Sequence, residues 1–228
     1  MLEAVMKSDY VRSVKLFEQE KISERSIVLL GDSIIKYWPF DKFYSNLNII
    51  NRGIPGDTSL GVLQRLEQII KIKPSVVIIS VGSNDLVRLD SNINDIAKRI
   101  IDIKHTLERE VEDLSAYVVS ITPVLRDHVV TNKAYMQTRT NEMINAINNE
   151  LKNFIEVIDV SSALKDESGS LKLEYTTDGL HLTNQGYQVY SRIISESVKE
   201  LKYKGDKKNE EWVCNCYWFN NGFTTKHC

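Results

Sequence analysis

Five short runs rich in valine and isoleucine are spaced along this chain, and between them apolar residues recur at every third or fourth position. The runs are Ser26–Leu30, Leu47–Ile50, Ser75–Val81, Ala116–Ile121 and Phe154–Val160. Most show no alternation of apolar and polar residues. A strand with one wet face alternates, whereas a strand covered on both faces does not, and strands of the second kind belong to parallel sheets with helices above and below. The pattern therefore predicts an α/β fold with a mostly parallel five-stranded sheet.

Four stripes mark the covering helices. Val62, Leu63, Leu66, Ile69 and Ile70 form the first. Ile93, Ile96, Ile100, Ile103, Leu107 and Val111 form the second, and Met136, Met143, Ile144, Ile147 and Leu151 the third. Tyr187, Tyr190, Ile194, Val198 and Leu201 form the last, with Thr183 placed to cap its start. A further helix around Val11–Glu24 is expected on the outside.

The chain has 228 residues, which suits one domain with a sizeable core. We expect that domain to occupy residues 1–203, with residues 204–228 a linker and tail. All three cysteines, Cys214, Cys216 and Cys228, fall in the tail, so the body can form no internal disulfide. With His227 they could be drawn as a zinc site, but the spacing fits paired-ligand patterns poorly, and no metal is expected. A formal charge of −2 implies no nucleic-acid partner. No apolar run reaches the length of a membrane span, and Met1 to Tyr10 lacks a signal-peptide pattern, so a cytoplasmic protein is expected. The oligomeric state, a homo-oligomer included, stays open.

Chemistry-bearing residues cluster where strands should end, which is where doubly wound sheets bind ligands. Gly31-Asp32-Ser33 follows the first run, Gly53 the second, and Gly82-Ser83-Asn84-Asp85 the third. Asp178-Gly179-Leu180-His181 precedes the last helix. A serine hydroxyl is a weak nucleophile until a base takes its proton, and His181 can be that base. Asp178, three residues earlier, can hold the imidazole in the right tautomer. Each block has a plainer use. Ser33 or Asp178 could cap a helix, Gly53 could be a turn, and Asn84 an Asx-turn.

Taken together, the four blocks resemble the SGNH hydrolases, the GDSL-type esterase and lipase superfamily, from roughly Ser26 to Leu201. The stretches Asn51-Arg52-Gly53-Ile54-Pro55-Gly56-Asp57-Thr58 and Asp178-Gly179-Leu180-His181-Leu182-Thr183 are similar to its platelet-activating-factor acetylhydrolase and lysophospholipase-like branch. Ile34 stands where the family name has leucine. The resemblance implies a three-layer, doubly wound, mostly parallel five-stranded sheet of the flavodoxin-like kind. It also implies a serine esterase without metal or organic cofactor, acting on acyl or acetyl esters, lysophospholipids included, through Ser33, His181 and Asp178. It implies an oxyanion hole made by the backbone N–H groups of Ser33 and Gly53 and the amide of Asn84.

Asp32, Arg126 and Trp38 are the candidates for contact with a small-molecule or lipid ester. Asp32, Asp57 and Asp85 also suit a supporting role at strand-to-helix turns, and Trp38 suits the core. The loop Thr122–Lys133, with Arg126, Asp127 and His128, faces the same end of the sheet. Two other functions fit the chain: a glycan O-deacetylase or acetyltransferase using the same site, and a non-catalytic module binding partners through its tail.

Overall fold

A computed structural model describes residues 2–44, 47–128, 130 and 132–201, with residues 2–7 and 133 described as backbone alone. The cysteine- and tryptophan-containing tail and the expected boundary after residue 203 lie outside the described residues. In chain order the elements are α1 (Leu2–Gln19), β1 (Ile27–Gly31), α2 (Ser33–Lys36), α3 (Phe40–Phe43), β2 (Ile49–Gly53), α4 (Ser59–Gln64), α5 (Leu66–Ile72) and β3 (Val76–Ser80). They continue with α6 (Asp85–Arg88), α7 (Ile93–Glu110), β4 (Ser115–Val119), α8 (Lys133–Met136), α9 (Asn141–Phe154), β5 (Val157–Ile158), α10 (Val160–Leu164) and α11 (Asn184–Ser197). The strands lie in the order β2-β1-β3-β4-β5. Every pairing is parallel.

Alternate residues of the strands serve two separate cores. Val28 and Leu30 of β1, with Val77 and Ile79 of β3, face a layer built from α4, α5, α7 and α9. Ile27 and Leu29, with Val76 and Ile78, face α2, α10 and α11. Both sets are buried, so the runs show no alternation. The order reverses direction at β1, whose neighbours are β2 and β3, and a crevice opens beyond the carboxyl ends of the strands there.

Several elements depart from the sequence pattern for identifiable reasons. The first stripe is two helices, broken at Arg65, whose guanidinium turns inward to Asp57, the Gly31 carbonyl and the Arg52 carbonyl. In the third stripe, α8 ends at Met136 and Gln137 has a left-handed φ of 45°. Thr140 then starts α9 by accepting from the Met143 N–H, and Met143 itself is exposed. The run at Phe154–Val160 yields only two strand residues, because Phe154 closes α9 and Asp159 caps α10. The N-terminal helix starts and ends earlier than expected. Thr183 caps α11 by accepting from the Gly186 N–H.

The sheet edge at β2 is covered by the N-terminal segment. The Arg52 side chain is buried, pairs with Glu20 at 2.6 Å and lies 4.3 Å from the Phe17 ring centre. Tyr10 of α1 donates to the Gly61 carbonyl at 2.8 Å. Among the described residues, no helix is long and apolar enough to cross a membrane.

Candidate active site

Gly31 must be glycine for a packing reason. A Cβ there would lie 1.9 Å from the Ser80 carbonyl oxygen, so only a bare Cα lets β1 run against β3 at the strand end. The next residue, Asp32, caps α2 by accepting the Ile34 N–H at 2.9 Å. Ser33 thus becomes the first residue of α2, at the carboxyl end of β1. Its Oγ lies 3.0 Å from Nε2 of His181. Nδ1 of His181 lies 2.7 Å from Asp178 Oδ2. With the imidazole neutral, Nδ1–H donates to Asp178 and Nε2 accepts from Ser33.

The Asp178–His181 turn is held from within. Asp178 Oδ1 accepts the N–H groups of Leu180 and His181, at 2.9 and 2.8 Å. Thr176 Oγ1 accepts the Gly179 N–H and donates to the His181 carbonyl. Burial pushes the Asp178 carboxyl up, but the bonds from the His181 ring and from the two N–H groups outweigh it and bring its pKa down to about 2. Asp178 is thus a carboxylate at any working pH. Two tyrosine rings stand edge-on to the imidazole: Tyr37 at 5.5 Å and Tyr135 at 5.6 Å between centroids. Both tyrosines are exposed and rim the site.

Asn84 sits just before α6, and its amide is held at both ends. Nδ2 donates to the Asp57 carbonyl at 2.9 Å, and Oδ1 accepts from Arg139 at 2.5 Å. Asp57 is fixed in turn by Arg65, and Asp85 by Ser59 and Arg99, with both carboxylates buried. These two acids support the loops, as expected.

Three expected contacts are not placed for their roles. The Gly53 N–H is taken by the Asn51 side chain at 2.9 Å, and a Cβ on Gly53 would lie 2.3 Å from the Lys36 nitrogen. Gly53 is therefore packed behind α2, with its donor already used. Trp38 is 2% exposed, stacks edge-on against Tyr44 and Tyr190, and donates to Ser191 at 2.8 Å, so it belongs to the core. Asp32 is 4% exposed and its carboxyl serves α2, so it supports Ser33 from below. Burial pushes its pKa up to about 7, against the Ile34 N–H, which pulls it down.

Arg126 is exposed, but its Nη1 is spent on the Gln137 and Arg139 carbonyls, where it ties down the segment that carries Tyr135. The loop after β4 also bonds to the histidine turn, Leu125 N–H to the Gly179 carbonyl and Asn132 N–H to the Asp178 carbonyl. Arg139, Tyr37 and Tyr135 also reach the site. No motif marks them, and only the folded loops bring them to His181 and Asn84. Among the described residues, no group of three or more His, Cys, Asp or Glu side chains is placed to hold a metal ion.

Residues 29–189 match the GDSL-like Lipase/Acylhydrolase family, which is most of the chain. The chain belongs to that family. It is a carboxylic ester hydrolase. Over 187 residues it is 24% identical to platelet-activating factor acetylhydrolase IB subunit alpha2 of Rattus norvegicus, covering 79% of each chain. It is 29% identical over 182 residues to the N-acylneuraminate cytidylyltransferase of Escherichia coli, covering 78% of this chain but only 41% of that protein. The GDSL-like lipase structure from Bacteroides thetaiotaomicron superposes with a TM-score of 0.70 at 22% identity, covering 84% of this chain and 98% of the other. A structure from Streptococcus pneumonia, named for platelet activating factor, gives 0.72 at 25% identity, covering 86% and 95%. The all-parallel five-stranded GDSL hydrolase sheet is thus shared.

Proposed function

We propose that this esterase works through an acyl-enzyme on Ser33. The observation that carries the reading is the continuous chain from Ser33 Oγ to His181 Nε2 at 3.0 Å and from His181 Nδ1 to Asp178 at 2.7 Å. Ser33 Oγ attacks the ester carbonyl carbon while Nε2 takes its proton. The imidazolium, steadied by Asp178, then gives that proton to the leaving alcohol as the C–O bond breaks. Water repeats the sequence on the acyl-enzyme, releasing the acid and restoring the Ser33 hydroxyl.

The tetrahedral intermediate carries a negative oxygen, and it needs donors already in place. With the Gly53 N–H engaged elsewhere, we assign this role to Ser33 N–H, Gly56 N–H and Asn84 Nδ2–H. Gly56 lies in the same loop with a left-handed φ of 77°, next to Asp57, whose carbonyl holds the Asn84 amide. Among the described residues, neither the Ser33 nor the Gly56 N–H donates to a protein acceptor.

The substrate is a small-molecule or lipid ester. An acetyl ester on a sugar is the second reading, favoured by the two exposed tyrosine rings at the base and by the relative that handles N-acylneuraminate. Ser33→Ala tests the mechanism. It should abolish both ester hydrolysis and labelling by a fluorophosphonate, and labelling at the wild-type rate would remove Ser33 from the mechanism. Nitrophenyl esters of rising chain length, set against an O-acetylated sugar and a lysophospholipid, separate the substrate classes.

A further inference from the structure

Arg139 is 3% exposed, yet among the described residues no carboxylate lies within ion-pair distance of it. A buried cation without a partner anion is expensive, so its hydrogen bonds need a reason. Nε donates to both the carbonyl and the hydroxyl of Ser83, at 3.0 Å each. Nη2 donates to Asn84 Oδ1 at 2.5 Å, and Nη1 donates to the carbonyls of Tyr135 and Met136. Burial lowers its pKa to about 10, with Asp32 opposing that shift and Arg88 adding to it, so the guanidinium is charged at neutral pH.

The chemistry of the partners fixes the direction of the Asn84 amide. A guanidinium only donates, so it can meet only the oxygen end. The Asp57 carbonyl only accepts, so it can meet only the nitrogen end. Held this way, Nδ2 has one N–H on Asp57 and a second N–H left over. The guanidinium charge beside Oδ1 also polarises the amide and makes that second N–H a stronger donor. One side chain therefore joins the proposed oxyanion donor to the segment carrying Tyr135, whose ring lies against His181.

We propose that Arg139 is a positioning residue for the transition state: it locks and polarises the Asn84 amide and registers it against the base. This rests on the assignment of Asn84 to the oxyanion hole. Because Arg139 acts on a donor used mainly when negative charge develops, its loss should fall on kcat and spare KM.

The test uses two variants in the full chain, with nitrophenyl acetate as substrate and thermal unfolding as the check on folding. Arg139→Lys keeps the charge but cannot span Ser83, Asn84 and Tyr135 together. It should lower kcat by about 10- to 100-fold, less than outright removal of an oxyanion donor, with KM within about twofold. Arg139→Ala should lose more, and millimolar guanidinium should restore part of its kcat where ammonium at equal ionic strength does not. A folded Arg139→Lys variant with wild-type kcat, or a loss confined to KM, would overturn the proposal. Asn84→Ala separates the two layers of the argument. If it keeps wild-type kcat, the oxyanion assignment itself has failed. If it loses kcat while Arg139→Lys does not, only the role of Arg139 has failed. The Asn84→Ala/Arg139→Lys double variant should be no slower than Asn84→Ala alone, and fully additive losses would also count against the coupling.

Discussion

At the scale of single residues, the site separates groups that change charge from groups that do not. Asp178 is brought down to about 2, so it stays ionised through the whole acid limb of activity. His181 must be neutral to accept the Ser33 proton. Asp178→Asn should lower kcat by up to about 10⁴-fold, since an amide can hold the ring in the wrong tautomer. Retention of more than a tenth of the activity would show that the imidazole is oriented by something else. Asn84→Ala should cost roughly 3 kcal/mol of transition-state stabilisation, seen in kcat, because one donor to the oxyanion is lost. A large KM effect with kcat preserved would make Asn84 a substrate-binding residue instead.

At the scale of elements, the loop from β2 to α4 shows what could be read from the chain and what could not. The meeting of Ser33, Asp178 and His181 at one end of the sheet was legible because their blocks follow buried apolar runs or precede a helix with a capping threonine, and local sequence decides such features. The choice between Gly53 and Gly56 was not legible. Both are glycines after a strand, and only the folded loop shows that Asn51 has taken the Gly53 N–H while Gly56 turns left-handed. Arg65, Arg126 and Arg139 were opaque for a related reason. An arginine in a stripe or loop reads as solvated, and here long-range carbonyls and side chains draw Arg65 and Arg139 inward. The two glycines should fail differently. Gly53→Ala drives a Cβ into the Lys36 backbone and should cost about 3 kcal/mol of stability, read as a lower urea midpoint. Gly56→Ala meets the strain of a left-handed residue, about 1–2 kcal/mol, and by tilting its N–H should lower kcat as well. Gly56→Ala with unchanged kcat would return the third donor to an open question.

At the scale of the whole molecule, the sheet places an acid where it works against folding. Asp32 is buried between the carboxyl end of β1 and α2, and burial raises its pKa to about 7. In the unfolded chain an aspartate titrates near 3.9, roughly. Between those values the folded protein keeps a proton that the unfolded protein releases. Stability contributed by this group is therefore full below about pH 4 and falls as pH rises toward 7, by up to about 4 kcal/mol if the full shift is expressed. Asp57 and His181 act on Asp32 in opposite directions, and Arg139 favours its charged form. Asn at this position keeps an acceptor for the Ile34 N–H, so the cap on α2 survives, while the titration is removed. Asp32→Asn should accordingly gain stability relative to wild type as pH rises from 4 to 8, measured as the difference in urea unfolding free energy at each pH. Other titrating groups are common to both proteins and cancel in that difference. A difference that stays constant across the range would show that Asp32 is ionised in the folded protein at ordinary pH. In that case its charge is held by Arg139 and His181, and the aspartate belongs to the electrostatics of the Ser33 site. A difference that grows instead marks Asp32 as a neutral cap, whose place under the nucleophile costs the fold stability at neutral pH.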